Sequence, residues 1–496
     1  MKKLLVVLVF VFAGAAFYLH DRTAGYREVR LCLVVSSDLG AGDRTETMAR
    51  AVTAIREVSR SCDGQTIVID AGGLIGGDTA EWLVRADPSL PLPESAFLAA
   101  AGYRSVNLSP DYFRLGAWRV LQMMQQSGVS AMTVNITGGA PQRIEADGVS
   151  LILYGLSLSS DIVTMPPGIF EGMTFHQPFS SAPPASGERS GDIAILLLHS
   201  DSASPMDRPG TEPVDILSSI HAQFPFLRLI FSDIPFPSSL SSNGENGPRL
   251  IPLTPGHPTL SVTDIRIIKH DERSMGIVAD ITTRAIDIGR TPPDPQMLAV
   301  LSSFREKVAT ATDRTVGTTL TGIDLTRSRS GDNSTLRLFH ETLLAIAGDA
   351  GHRPDISIAL CPVNDIVKRP GAQITIADVA GMVPRDRFPV LIKLSGARLD
   401  DLLAAATDAY PSDTVALFPF SYRTGSDGSL LFTDRRFSPD RRYLAVADGR
   451  IADLLLGADD EDVSFEAVLP ETLASRLTRI FPAHLSAPFA PLWKRD

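Results

Sequence analysis

Four residues of this chain combine ligand chemistry with a suggestive setting: Asp38 in SSDLGAG, Asp111 in SVNLSPDYFRLG, His199 in LLLHSD and Asp233 in FSDIPF. Three carboxylates and one imidazole could together hold a single hard cation such as Ca2+, Mg2+ or Mn2+. Each also has a plainer reading. Asp38 and Asp111 both precede apparent helices, as N-capping residues do. A histidine at the end of a strongly apolar strand is more often a hydrogen-bonded residue at the core edge than a ligand. The glycines of DAGGLIGG, residues 70–77, would let backbone N–H groups cradle an anion, and they fit simple turn geometry equally well. Ser/His/Asp nucleophile chemistry finds no support, because no GxSxG elbow is present and SGARL and SGDNS read as turns.

For these four residues to meet, they must lie at the ends of strands that share a sheet edge. From Arg27 to about Ile288 the chain alternates β-rich runs with helical ones. VRLCLVVSS, TIVIDAGG, RSVNLS and SAMTVNI read as strands; ETMARAVTAIREVSR, AFLAAAGY and AWRVLQMMQQSG carry apolar residues at helical spacing. Such alternation implies parallel strands in a layered α/β sheet, with ligands gathering beyond the carboxyl ends of the strands. VSLILYGLSL, GDIAILLLHSD and FLRLIFSD extend the series, and RLIPL, TLSVTDIRIIKH and SMGIVADITTRAI read as consecutive antiparallel strands closing the domain. FSSAPPASGERSG and FPSSLSSNGENGPR read as loops, and GRTPPDPQ as a linker before the amphipathic helix MLAVLSSFREKVATA. A second α/β unit follows. The expected organisation is 27–288, a linker and linker helix over 289–313, and a second domain over 314–490.

A chain of 496 residues exceeds what one core supports, which agrees with two domains. Net charge is −11 and no Lys/Arg cluster stands out, so nucleic acid is not an expected partner. Lys2 and Lys3 precede an unbroken apolar run over residues 4–19, the pattern of an export signal. The run is short for a spanning helix. Ala13-Gly14-Ala15 offers a cleavage site, while Phe17, Tyr18 and Leu19 continue the run past it, so cleavage and retention as a membrane tether both stand. The sparse, odd set Cys32, Cys62 and Cys361 is not a disulfide framework. A Cys32–Cys62 bridge is conceivable, and buried free thiols are the favoured expectation.

The strand-end motifs, taken in order, resemble those of the bacterial periplasmic 5'-nucleotidase and UDP-sugar hydrolase family over nearly the whole chain after the signal. SSDLGAG resembles NDLHG, with Asp38 kept and Gly40 in place of the histidine; DAGGLIGG resembles DAGDFFQG, with Gly73 in place of the bridging carboxylate. VNLSPDYFRLG resembles VNLGNHEFDYG, with Pro110 and Asp111 where the family has asparagine and histidine. His199 is kept, and Asp233 and Pro235 replace the two histidines of GGHTH. The resemblance implies a layered α/β/β/α metallophosphoesterase-like sandwich followed by an α/β domain of the 5'-nucleotidase C-terminal type. It also implies a two-cation centre, which needs an anion between cations about 3.5–4 Å apart. Glycine at position 73 supplies none. In the second half, CPVNDIVKR stands where the family's NGGGIR meets the substrate phosphate. Lys368 or Arg369 could still meet an anion, although an exposed basic pair before Pro370 is more often plain surface. Phe418 and Phe420 fall near the position where the family stacks a nucleobase, and packing is the better reading without an identifiable facing ring. The expectation is therefore a non-catalytic, exported protein, periplasmic or anchored to the outer face of the inner membrane. It would bind an envelope protein or a nucleotide-like ligand, with no cofactor or at most one divalent cation, Mn2+, Mg2+ or Ca2+. The alternative is a phosphoester hydrolase with a single-metal or reshaped site.

Overall fold

The structure is a computed structural model. It describes residues 27–40, 44–75, 81–87, 89–90, 92–158, 165–176, 193–200, 213–234, 236, 248–254, 259–269, 277–319, 322–324, 334–360, 366–383, 387–409, 415–418, 422–424, 430–432, 437–449, 451, 455, 462–480 and 493–495. The apolar run 4–19, Cys361, Phe420 and the two serine-rich loops, apart from Phe236, Pro248 and Arg249, lie outside the described residues. Among the described residues no helix is long and apolar enough to cross a membrane.

The first half begins β1 (Arg27–Ser36), α1 (Arg44–Ser61), β2 (Gln65–Asp70), α2 (Glu81–Ala86), α3 (Pro93–Ala101), β3 (Tyr103–Val106), α4 (Ala117–Ser127) and β4 (Ser130–Ala131). It continues β5 (Gln142–Ala146), β6 (Val149–Ser157), β7 (Ile193–His199), α5 (Pro213–Gln223), β8 (Leu227–Ser232), β9 (Arg249–Pro252), β10 (Thr259–Lys269) and β11 (Ile277–Asp287). Two sheets result, ordered β11-β10-β1-β2-β3-β4 and β5-β6-β7-β8-β9.

Period-two alternation decides how they stack. Leu31, Leu33 and Val35 of β1, with Ile67 and Ile69 of β2, point toward the second sheet and pack with Leu153, Ile195, Leu197 and Phe231. The intervening Val34 and Val68 face the helix layer, against Met48, Val52 and Ile55 of α1. On the far side, Leu196, Leu198 and Ile230 take Ile216, Leu217 and Ile220 of α5. Helix, sheet, sheet, helix is therefore the layer order, with both faces of the central strands buried, as parallel strands require. The parallel runs β1-β2-β3 and β6-β7-β8-β9 put Asp70 and His199 at strand carboxyl ends and Asp38, Asn107 and Asp233 just beyond them.

Three expectations need correction. β9, inside RLIPL, is not part of an antiparallel meander with β10; it pairs parallel to β8 in the other sheet. Its Ile251 enters the inter-sheet core and its Leu250 packs on the α5 side, so it is wedged between layers. SAMTVNI forms a ladder only at Ser130–Ala131. Beyond it the segment crosses from one sheet to the other, Met132 N–H donating to Val106 O and Met132 O accepting from Gly155 N–H. Val134 N–H donates in turn to Gly155 O, and the side chains of Thr133 and Asn135 add bonds to the Leu108 N–H and to the Ser157 backbone. Finally, Cys32 and Cys62 form a disulfide, with Cα atoms 6.3 Å apart, rather than remaining free thiols. Strand β1 and the end of α1 bring them together from 30 residues apart.

The second half contains α6 (Pro295–Thr312), β12 (Thr315–Thr318), β13 (Ile323–Asp324), α7 (Ser334–Asp349), β14 (Ile356–Leu360), β15 (Val367–Lys368), β16 (Gln373–Thr375) and α8 (Ile376–Met382). After these come β17 (Val390–Ser395), α9 (Gly396–Ala409), β18 (Val415–Phe418), β19 (Tyr422–Thr424), β20 (Leu430–Phe432), β21 (Arg442–Ala447), β22 (Val463–Val468), α10 (Leu473–Ile480) and β23 (Trp493–Arg495). Its main sheet runs β18-β14-β21-β17-β22. Helix α6 buries Met297 and Leu301 in the same apolar cluster as Val52 of α1 and Ile374 and Val379 of the second half, so the linker helix is packed on both sides.

Candidate site at the strand ends

Ser36-Ser37-Asp38 leaves β1 as the sheet edge opens, and Asp38 takes a left-handed backbone with φ of 55°. Few non-glycine residues adopt that region. The turn is held by pairing with the next strand end: Asp38 N–H donates to Gly72 O at 3.0 Å and Gly40 N–H to Gly73 O at 2.9 Å. Two glycines make this approach feasible. Gly73 has φ of +74°, and a Cβ built there would fall 2.3 Å from Asp38 Oδ1. Gly72 has φ of +138°, and its Cβ would fall 2.4 Å from Cγ of His199. The Asp38 carboxylate thus fills the volume into which a side chain at position 73 would project, and the imidazole lies against residue 72.

His199 is fully buried, and Asp233 is 4% exposed. The imidazole Nδ1 is in hydrogen-bond contact with Asp233 Oδ2. The same carboxylate accepts from Ser37 Oγ at 3.3 Å and from Ser200 N–H at 3.0 Å. One ligand atom from each of Asp38, His199 and Asp233 lies within 4.8 Å of the others, so the three form a group that could hold one cation. Gly73 itself supplies no bridging carboxylate and the Asp38 carboxylate takes the space a side chain there would need, so the described residues gather ligands for one cation rather than the two of a bridged pair. Cys32, Cys62 and Asp264 form the other such group among the described residues, with both sulfurs in the disulfide.

Asp111 is not brought into the group. It lies in a 3-10 turn, Pro110–Leu115, and forms an ion pair with Arg114 three residues on. The neighbouring Tyr112 points inward instead, and its hydroxyl donates to Asp70 Oδ2 at 2.8 Å. Ser36 Oγ donates to Asp70 Oδ1 at 2.6 Å and accepts from Tyr103 O–H at 2.9 Å. Burial pushes the Asp70 carboxyl up to about 7, although the Ser36 and Tyr112 hydrogen bonds and the nearby His199 oppose it. Burial likewise pushes the Tyr112 hydroxyl well above its ordinary value, with the Asp70 charge adding to the effect. Behind the candidate ligands there is therefore a dry polar layer of Asp70, Ser36, Tyr103 and Tyr112. Sequence reasoning assigned none of these four a site role; the available signal was the run Tyr112-Phe113 after Pro110, an apolar pair too close to a strand end to be solvated.

Asn107 joins the two sheets. Its Nδ2 donates to Ala71 O at 2.9 Å and Leu156 O at 3.0 Å, while Oδ1 accepts from Thr133 Oγ1 at 3.0 Å. Gly155 faces it without room for a side chain, since a Cβ would lie 2.3 Å from Oδ1.

In the second half, Lys368 is engaged by Asp378, Nζ to Oδ1 2.7 Å. Burial raises the Asp378 carboxyl, and the hydrogen bonds from Lys368 and Thr375 outweigh it, holding the group below the usual carboxylate range. Asp378 closes a capping box with Thr375 at the start of α8. Lys368 thus anchors a helix start, and Arg369 beside it is exposed. Phe418 ends β18, and its side chain, like all of Phe420, lies outside the described residues.

No family model matches this sequence, and no curated protein matches it. Solved structures do. The fold is similar to a candidate 5'-nucleotidase from Staphylococcus aureus, solved with alpha-ketoglutarate, at TM-score 0.63 and 14% identity, covering 94% of this chain and 99% of that one. It is also similar to the NAD nucleotidase of Haemophilus influenzae at TM-score 0.56 and 12% identity, covering 95% and 99%. The 5'-nucleotidase precursor of Thermus thermophilus matches at TM-score 0.51 and 14% identity, covering 94% and 99%. The mixed α/β architecture agrees with these neighbours, and the chain carries the two-domain fold of the 5'-nucleotidases.

Proposed function

We propose that this protein is an exported, non-catalytic relative of the 5'-nucleotidases that serves as a binding or assembly module in the cell envelope. One observation carries the reading: the Asp38 carboxylate occupies the space over Gly73 where a metal-bridging side chain would have to project. The remaining ligand-type residues are turned toward structural work. His199 is held by Asp233, and Asp233 is itself bonded to Ser37 and Ser200. Export rests on the charged and apolar N-terminal run, Lys2 to Leu19. The ligand is a nucleotide-like molecule or a protein of the envelope.

A second reading, a single-cation phosphoester hydrolase, is favoured by the Asp38, His199 and Asp233 group. Two carboxylates and an imidazole suit a hard or borderline cation such as Mg2+ or Mn2+. Bound there, a cation would supply Lewis-acid polarisation of a phosphoryl oxygen. Metal analysis of the purified protein, with nucleotide hydrolysis assayed in added Mn2+, Co2+, Zn2+ or Mg2+, separates the two. The non-catalytic reading expects no turnover, with at most one divalent cation bound. Metal-dependent turnover abolished by His199→Ala would overturn it.

A further inference from the structure

Cys32, in the middle of β1, stands directly opposite Asp264 of β10 in the antiparallel ladder, and Cys62 reaches the same point from the turn after α1. One ligand atom from each of the three lies within 4.8 Å of the other two. We propose that reduction of the Cys32–Cys62 disulfide opens a binding site for one Zn2+ ion, held by the two thiolates and the Asp264 carboxylate. These residues lie outside the strand-end group, so the inference does not rest on the reading of that group.

The place of the carboxylate points to a cation. Asp264 Oδ1 lies 3.0 Å from Cys32 Sγ. A disulfide sulfur carries no proton, so in the oxidised protein this oxygen receives no hydrogen bond from it. The contact becomes favourable when the sulfur is a thiol that donates a proton, or when a cation joins sulfur and carboxylate. Asp264 is held in this orientation from its other side, where Arg284 of β11 donates to Oδ2 at 2.8 Å. Outer partners of this kind orient a ligating carboxylate. Cys62 is prepared as well. Gly64 N–H donates to its sulfur at 3.3 Å, and a hydrogen bond to sulfur favours the thiolate once the disulfide is open. Only glycine fits at position 64, since a Cβ there would lie 1.8 Å from Arg30 O, and the turn is thereby seated against β1 beside Cys32.

Two sulfurs and one carboxylate oxygen match the ligands that Zn2+ takes, and thiolates select it over Mg2+ or Ca2+. A tetrahedral ion holds thiolate sulfurs roughly 3.8 Å apart. Cα atoms 6.3 Å apart permit that separation through side-chain rotation. Formal charge also balances, because two thiolates and a carboxylate face one divalent ion and the Arg284 guanidinium. Cys32 is 3% exposed, whereas Cys62 and Asp264 are half-buried, so the solvent side gives the ion its entry and a water as fourth ligand. The chemistry needs a dithiol reductant. It gives two electrons and two protons to the S–S bond, which breaks into two thiols while the reductant closes to its own disulfide. Zn2+ then displaces the two thiol protons.

The test uses the full chain, either oxidised or reduced with dithiothreitol and desalted without oxygen, and titrated with Co2+ and then Zn2+. The readouts are the near-ultraviolet sulfur-to-cobalt charge-transfer band, which Asp38, His199 and Asp233 cannot produce, and the shift in Tm. The reduced protein is expected to develop the band to saturation at one Co2+ per chain, to lose it as Zn2+ displaces the cobalt, and to gain several degrees in Tm with Zn2+ bound. The oxidised protein is expected to show no band, a control that needs no substitution. Cys361→Ser is expected to keep the band, and the pair Cys32→Ser, Cys62→Ser to abolish it with far-UV circular dichroism unchanged. Asp264→Asn is expected to weaken Zn2+ binding at least roughly tenfold. The proposal is overturned by a reduced protein without the band, by an equal band in the oxidised protein or the double serine variant, by loss of the band in Cys361→Ser, or by unchanged affinity in Asp264→Asn.

Discussion

At the scale of the residue, Asp70 makes the sharpest prediction. Its carboxyl titrates near 3.8 when unperturbed and at about 7 in the folded protein, chiefly because it is buried. Between those values the folded state retains a proton that the unfolded chain has lost. Stability therefore falls as pH rises through that window, by at most roughly 1.4 kcal/mol per unit, and the loss is complete above the folded value. Asp70→Asn keeps a neutral donor-acceptor pair between Ser36 and Tyr112 and removes the titration. Urea midpoints at pH 5, 6.5 and 8 are expected to fall more steeply for the natural protein than for the variant; parallel profiles would contradict the assignment. The same corner shows what could be read from residue types and what could not. Asp38, His199 and Asp233 were legible as candidates because their types and strand-end positions suffice. Asp111 was drawn in on the same grounds, but a 3-10 turn rotates its carboxylate to Arg114 and sends Tyr112 inward. Spacing along the sequence does not distinguish those two directions.

At the scale of the element, the disulfide ties the end of α1 to the centre of β1. Closing a loop of sequence separation 30 removes unfolded-state entropy worth roughly 3–4 kcal/mol in the chain-entropy account. Reductant is expected to lower Tm by several degrees while leaving far-UV circular dichroism intact at room temperature. The double variant Cys32→Ser, Cys62→Ser should melt at the reduced value and ignore reductant. Strands and helices themselves were largely legible, because α1 shows its 3.6-residue period and β1 and β7 their apolar runs. Pairing was not. Nothing in RLIPL distinguishes a partner in one sheet from a partner in the other, since β9 is buried on both faces and its register is set by where β8 and β10 already lie. The cysteine pair was misjudged for a related reason: three scattered cysteines carry no sign of which two a helix and a strand will bring together.

At the scale of the whole molecule, the two halves meet through the start of the linker helix. GRTPPDPQ reads as a linker from its prolines alone, yet Asp294 inside it is 8% exposed and bonded in three directions. Its N–H donates to Ala49 O at 2.9 Å, its Oδ1 accepts from Met297 N–H at 2.8 Å as the N-cap of α6, and its Oδ2 pairs with Arg56 of α1. Arg50 of the same helix donates to Thr291 O and Gly289 O. Farther along the junction, the Arg85 guanidinium lies over the Phe388 ring at 4.9 Å, joining α2 to the segment before β17. Apart from the N-cap itself, these contacts span more than 200 residues of sequence, which is why composition marks the boundary and misses the clamp. If the clamp transmits stability between halves, Asp294→Ala removes the cap and the ion pair together, at a cost of about 1–2 kcal/mol. Asp294→Asn keeps the cap and loses only the charge. Scanning calorimetry is expected to give one transition for the natural protein, a slightly lowered one for Asn, and for Ala a second half that melts separately. One unshifted transition in all three proteins would mean that the shared apolar cluster around Met297 and Leu301 couples the halves without Asp294.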